Sequence, residues 1–135
     1  MSAGFWIGVV IATVAAMVIG AIWYGVFGNY WMGLVGKRRE DLNPSPSIYL
    51  IAALAWFTTA IVMSVLIGHL VWESTPGGLV LGILLAVGIV ATTMAVNYTF
   101  EGRPSRLYAL NLGYHLVALV VMGGVIGVIH QLMPG

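Results

Sequence analysis

The chain has 135 residues, of which 61% are hydrophobic and only 7% are charged, with a formal net charge of +1. Ordinary soluble domains carry roughly a quarter charged residues, so water is excluded as the solvent of most of this chain. Cysteine is absent, which excludes disulfides, thiolate chemistry and Cys-based metal sites.

Charge is confined to three places, leaving uncharged runs at 1–36, 42–72, 74–100 and 107–135. Each run exceeds the ~20 residues that a helix rising ~1.5 Å per residue needs to cross a ~30 Å hydrocarbon core. Unsatisfied backbone in lipid costs several kcal/mol, so the spans must be helices or a closed barrel. No period-two alternation supports a barrel. The expected fold is therefore all-α: a single transmembrane domain over 1–135, built as a four-transmembrane-helix bundle with helices at about 4–26, 47–72, 78–100 and 106–130.

The first run is not expected to be a secretory signal peptide. No Lys or Arg precedes it, and its apolar part is too long for such a segment. Its continuation over residues 27–36 remains uncharged and rich in glycine and aromatics. Trp23, Tyr24, Tyr30 and Trp31 are expected to form an aromatic belt at headgroup level, with Gly25, Gly28, Gly33 and Gly36 letting the backbone bend into the interface. The alternative is a re-entrant segment lining a cavity.

KRRED at 37–41 opens the first connection, which Pro44 and Pro46 close; Pro76 and Pro104 mark later breaks. The first and third connections hold every Lys and Arg: Lys37, Arg38, Arg39, Arg103 and Arg106. The positive-inside rule then makes loops 27–46 and 101–105 cytoplasmic and places both termini and the Glu73 turn outside. The basic cluster is better explained by topology and anionic-lipid contact than by nucleic acid, for which no patch is present. A shift of 59 residues lays the second span on the fourth, pairing Tyr49 with Tyr108, Val62 with Val121 and Met63 with Met122. That faint repeat suggests two parallel helical hairpins.

Polar groups within spans are the default functional candidates. Trp23, Tyr24, Asn97 and Asn111 all fall about one turn inside the cytoplasmic boundary, with His115 one turn deeper on the Asn111 face. Asn97 and Asn111 are expected to lie level across a tight hairpin, giving one polar cluster open to the cytoplasm. Such a cluster serves either as interhelical hydrogen bonding or as a binding or proton-handling site. His69, Glu73 and His130 form a weaker, metal-type constellation near the outer boundary. A haem between His69 and His115 is excluded, because about 13 residues of depth separate them, roughly 20 Å. Small-xxx-small faces at Gly4 and Gly8, Gly78 and Gly82, and Gly123 and Gly127 offer close packing, within the chain or between copies.

G-A-I-W-Y at 20–24, F-G at 27–28, Trp31, E-G-R at 101–103 and L-N-L-G-Y-H at 110–115 together resemble the bacterial membrane proteins grouped as domain of unknown function 1761. The resemblance spans essentially the whole chain and implies a small four-helix protein of the bacterial cytoplasmic membrane, with no activity or cofactor to carry over. Two functional classes remain. The preferred expectation is a structural or accessory subunit packing with itself or a larger complex in the bilayer. The alternative is a minimal transporter or a binder of a small ligand or lipid. Coupling of the small multidrug type lacks its carboxylate, since no Asp or Glu falls within a span. An enzyme is not expected, because the titratable groups in the spans are His and Tyr without an evident acid–base partner.

Overall fold

A computed structural model describes residues 2–43 and 45–133, whose regular structure is entirely helical. Among them, four helices are long and apolar enough to cross a membrane: α1 (Ala3–Val35), α2 (Pro46–His69), α3 (Thr75–Glu101) and α4 (Ser105–Leu132). The expected breakers act at the helix starts. Pro46 opens α2 behind Ser45, and Ser74 caps α3 by accepting the Gly77 N–H at 3.2 Å, with Pro76 in its first turn. Pro104 immediately precedes α4. Pro44 lies outside the described residues.

One expectation is corrected in α1, which does not end near residue 26 but runs on to Val35. Each interior glycine costs roughly 1 kcal/mol of helix propensity, whereas each backbone group freed near lipid costs several, so continuing the helix is cheaper than bending it. At 33 residues the helix is about 50 Å long, well beyond a ~30 Å hydrocarbon core. It stops at Gly36, whose φ of 71° suits a residue without Cβ, and the Lys37 N–H returns to the Met32 carbonyl at 3.0 Å. Residues 27–35 are thus a helical extension at the charged end, and no re-entrant loop forms there.

α4 is the central helix, packing extensively against both α1 and α3, while α2 lies mainly along α1. Glycine sets how closely α3 and α4 meet. A Cβ on Gly78 would strike the Gly123 carbonyl oxygen, one on Gly127 would strike the Ser74 carbonyl oxygen, and one on Gly82 would lie 2.5 Å from the Leu119 oxygen. The faces of Gly78, Gly82, Gly123 and Gly127 are therefore occupied within this chain. Gly4 meets Met133, and Gly8 makes only ordinary contact with Ile129 of α4.

Around this contact Val9, Ala12, Met63, Ile67, Met122 and Ile126 are fully buried and close the end of the bundle that bears the termini. The charged end is built from larger side chains: Trp23, Tyr24, Trp56, Tyr98 and Tyr114 stand between the helices. Close glycine contacts between α3 and α4 at one end, where Phe5 and His130 also stack, and Trp and Tyr rings between the helices at the other make a wedge. Accordingly no residue of α2 before Trp56 is buried, and none of α3 from Val87 to Asn97. Threonines left on exposed faces satisfy their hydroxyls locally, Thr58 on the Leu54 carbonyl at 2.8 Å and Thr92 on that of Gly88 at 3.0 Å.

Within α3 the residues Ala86–Val90 form a π-turn, closed by the Ala91 N–H on the Ala86 carbonyl. A π-turn is in effect one residue inserted into an α-helix, so every later side chain is turned by about one residue, roughly 100°. Tyr108 of α4 donates its hydroxyl proton to the Ala91 carbonyl at 2.8 Å, tying the helix just after this turn.

Candidate functional site

The wedge leaves an open-mouthed cavity of about 740 Å³ at the charged end, bounded by α1, the first connection, the start of α2, the end of α3, and α4. Its inner wall carries a chain of hydrogen bonds. Tyr24 donates its hydroxyl proton to Asn111 Oδ1 at 2.6 Å, and Asn111 Nδ2 donates to the Tyr98 hydroxyl oxygen at 2.8 Å. His115 sits deeper on α4, its Nδ1–H bonded to the Asn111 carbonyl at 2.9 Å; a carbonyl only accepts, so the proton is on Nδ1 and Nε2 is left over. Below them Trp56 of α2 meets Tyr114 edge-on and tilts over His115, with ring centroids 5.7 and 5.5 Å apart. Tyr114 is anchored in turn, donating to the Ala16 carbonyl at 2.9 Å.

Tyr24, Asn111 and His115 are brought together as expected, but Asn97 is not. Its side chain is exposed, and Tyr98 takes the place opposite Asn111. The π-turn is the physical reason. Ala86 is buried towards the bundle, and three regular turns beyond it, at i+11, lies Asn97; one inserted residue moves that position to Tyr98.

The aromatic belt divides along the two faces of α1. Tyr24, Gly28 and Trp31 share the spacing i, i+4, i+7 and line the cavity, with the Trp31 ring edge-on to Tyr24 at 6.5 Å. Trp23 also turns inward: its Nε1–H donates to the Leu110 carbonyl at 3.1 Å, and its ring lies where a Cβ on Gly113 would come within 2.8 Å. Tyr30 stands 48% exposed, as a belt residue would.

Two cations read from the sequence as topology signals also line the cavity, Arg39 and Arg103, and no carboxylate lines it. The chain after α1 folds back so that Arg39 donates to Asn29 Oδ1 at 3.1 Å. Arg103 lies 4.2 Å over the Tyr98 ring and pairs with exposed Glu101 at 3.5 Å. Neither placement is readable from spacing alone, because both depend on how a connection returns over a helix end.

The metal-type constellation is corrected. His69, Glu73 and His130 border a hollow of about 200 Å³ at the opposite end, yet among the described residues no three His, Cys, Asp or Glu side chains come close enough to share an ion. Each histidine already has a partner. His130 is buried and bonded through Nε2 to Ser64 Oγ at 2.8 Å, while the exposed His69 donates from Nδ1 to the Val65 carbonyl at 2.8 Å. Among the described residues every buried side-chain nitrogen and oxygen has a hydrogen-bond partner.

Residues 7–127 match the family described as protein of unknown function (DUF1761). The chain belongs to this family. No curated protein and no solved structure matches it. The polar residues of the charged-end wall, Trp23, Tyr24, Tyr98, Asn111 and His115, fall within the part of the chain that the family covers, and His130 at the opposite end lies outside it.

Proposed function

We propose that this DUF1761 protein binds a small amphipathic molecule in the charged-end cavity, as a multi-pass protein of the bacterial cytoplasmic membrane. The topology in this reading follows the loop charges: Lys37, Arg38, Arg39, Arg103 and Arg106 face the cytoplasm, both termini lie outside, and α1–α2 and α3–α4 run as parallel hairpins. The cavity then opens to the cytoplasm and the inner headgroup layer, and the glycine-packed end closes it from outside.

The observation that carries the reading is the cavity itself, whose size falls within the ~300–1,000 Å³ of small-ligand sites. Its lining combines Met32, Leu42 and Ile48 with a hydrogen-bonded polar wall, which suits a molecule with both kinds of surface. The alternative of a subunit that assembles through glycine faces loses its main support, because four of the six glycines pack tightly between α3 and α4 of the same chain.

Gly28 provides the test. A Cβ there meets nothing within 4 Å, and the residue lines the cavity, so Gly28→Trp fills the site without a backbone clash. Gly33→Trp is the control on the same helix, also open, outside the lining. The wild-type protein in mild detergent, titrated with short-chain anionic, zwitterionic and uncharged lipids and read by native mass spectrometry, should retain at least one ligand stoichiometrically. Gly28→Trp should lose it and Gly33→Trp should keep it. Retention by both variants alike would place the ligand elsewhere and overturn the reading.

A further inference from the structure

The polar part of the cavity holds more free donors than free acceptors, the His115 Nε2 lone pair being an acceptor left over at its inner wall. Arg39 and Arg103 bring guanidiniums with five N–H donors each, of which the structure occupies one on Arg39 through Asn29, and Arg103 makes a single exposed contact with Glu101. Asn111 Nδ2 has a second N–H beyond the one given to Tyr98. The Tyr98 hydroxyl accepts from Asn111 and has its own proton still to donate, with no acceptor for it among the described residues. The opposing charges nearby do not line the cavity: Asp41 accepts the Arg38 backbone N–H at 3.0 Å, and Glu101 is mostly exposed.

Donors with capacity to spare around two cations favour a ligand group made of acceptors carrying negative charge. Guanidinium pairs bind phosphate and carboxylate oxygens in charge-assisted, often bidentate geometry. The apolar part of the lining comes from Met32, Leu42 and Ile48, next to the same arginines. Ile48 and Tyr49 belong to the first turn of α2, whose N-terminal N–H groups add partial positive charge at the same mouth.

Resting on the ligand-binding reading above, we propose that the occupant carries an anionic phosphate-type headgroup held by Arg39 and Arg103, with its acyl portion against Met32, Leu42 and Ile48. Tyr98 and Asn111 donate to the same group or to the oxygens joining it to the apolar part. The wedge leaves the start of α2 and the end of α3 unpacked, so a lipid of the inner leaflet has room to enter from the side.

The test compares four probes on the full chain in mild detergent: short-chain phosphatidylglycerol, short-chain phosphatidylcholine, a monoacylglycerol of equal chain length, and inorganic phosphate. The anionic lipid should bind about a hundredfold more tightly than the uncharged one, and Arg39→Gln and Arg103→Gln should each remove about tenfold of that affinity. Arg106→Gln, at a cation that does not line the cavity, should leave binding unchanged. Failure of inorganic phosphate to compete at equal concentration would support the acyl contact, whereas phosphate that competes equally would overturn the acyl part of the assignment and identify a soluble anion as the ligand. Equal binding of anionic and uncharged lipid, unaffected by either arginine variant but lost in Gly28→Trp, would overturn the headgroup assignment while the cavity reading stood. Loss of no probe in Gly28→Trp would overturn both. Should an arginine variant lose all binding, the thermal midpoint without ligand separates the cases: an unchanged midpoint supports the assignment, and a collapsed one refers the question to Arg39→Lys and Arg103→Lys. These keep the charge and should retain binding above the Gln variants, and their failure to do so would overturn the assignment.

Discussion

Replacing one glycine by alanine should have opposite effects at the two ends of this bundle. At Gly28 the new methyl meets nothing within 4 Å, so the substitution expresses only helix propensity and should stabilise by up to about 1 kcal/mol. At Gly123 the methyl would strike the Gly78 carbonyl oxygen and lie 2.8 Å from its carbon, 0.6 Å short of the 3.4 Å where ordinary contact begins. Both obstructing atoms are backbone, so no rotamer change relieves them and α3 must move away from α4. A gap of 0.5–1 Å already forfeits a quarter to a half of each dispersion contact, and overpacking of this kind costs roughly 1–3 kcal/mol or more. Offset by the same propensity gain, Gly123→Ala should destabilise by about 2 kcal/mol, leaving the two variants about 3 kcal/mol apart. Unfolding by SDS titration, followed through the five tryptophans, measures the difference. A Gly123→Ala protein as stable as wild type, within about 0.5 kcal/mol, would refute the close backbone contact and with it the origin of the wedge.

The polar wall gives a second expectation: Asn111→Leu leaves the Tyr24 and Tyr98 hydroxyls without their shared partner and should cost roughly 1–3 kcal/mol, whereas Asn97→Leu on the exposed face should be neutral or slightly stabilising, both read by the same titration. Deleting Gly88 should remove the extra residue and leave Tyr98 three regular α-turns after Ala86, so Tyr98 should stay opposite Asn111 with stability and ligand retention little changed; loss of both, as expected if Asn97 moved to the bundle face, would refute the phase argument. At the closed end, Ser64→Ala should cost roughly 1–3 kcal/mol by leaving the buried His130 Nε2 unpaired, and the double variant with His130→Phe should be less destabilised than the sum of its single changes. Reporter fusions at either terminus should be accessible from outside the membrane and one inserted within 37–43 should be protected; cytoplasmic termini would refute the orientation.

The amino-acid sequence alone determined the count of helices and most of their ends, because solvent choice is written in composition. Runs without charge can only be buried in lipid or protein, and prolines and serines mark where their helices start. It also marked Tyr24, Asn111 and His115, since a polar side chain at that depth must find a partner, and spacing within one helix places Asn111 and His115 together. Rotation and the path of the connections were decided only by the tertiary structure. A single inserted residue at Ala86–Val90 exchanges Asn97 for Tyr98, and no propensity scale records it, because the π-turn has its partner, Tyr108, on another helix. α1 persists past residue 26, through Gly28 and Gly33, against the helix propensity of those glycines. Arg39 and Arg103 looked alike as loop charges, and it is the return of the first connection over α1 and the stacking of Arg103 on Tyr98 that bring both to one cavity. Its existence follows from glycines and rings at opposite ends of the same bundle, a relation between helices that no single helix contains.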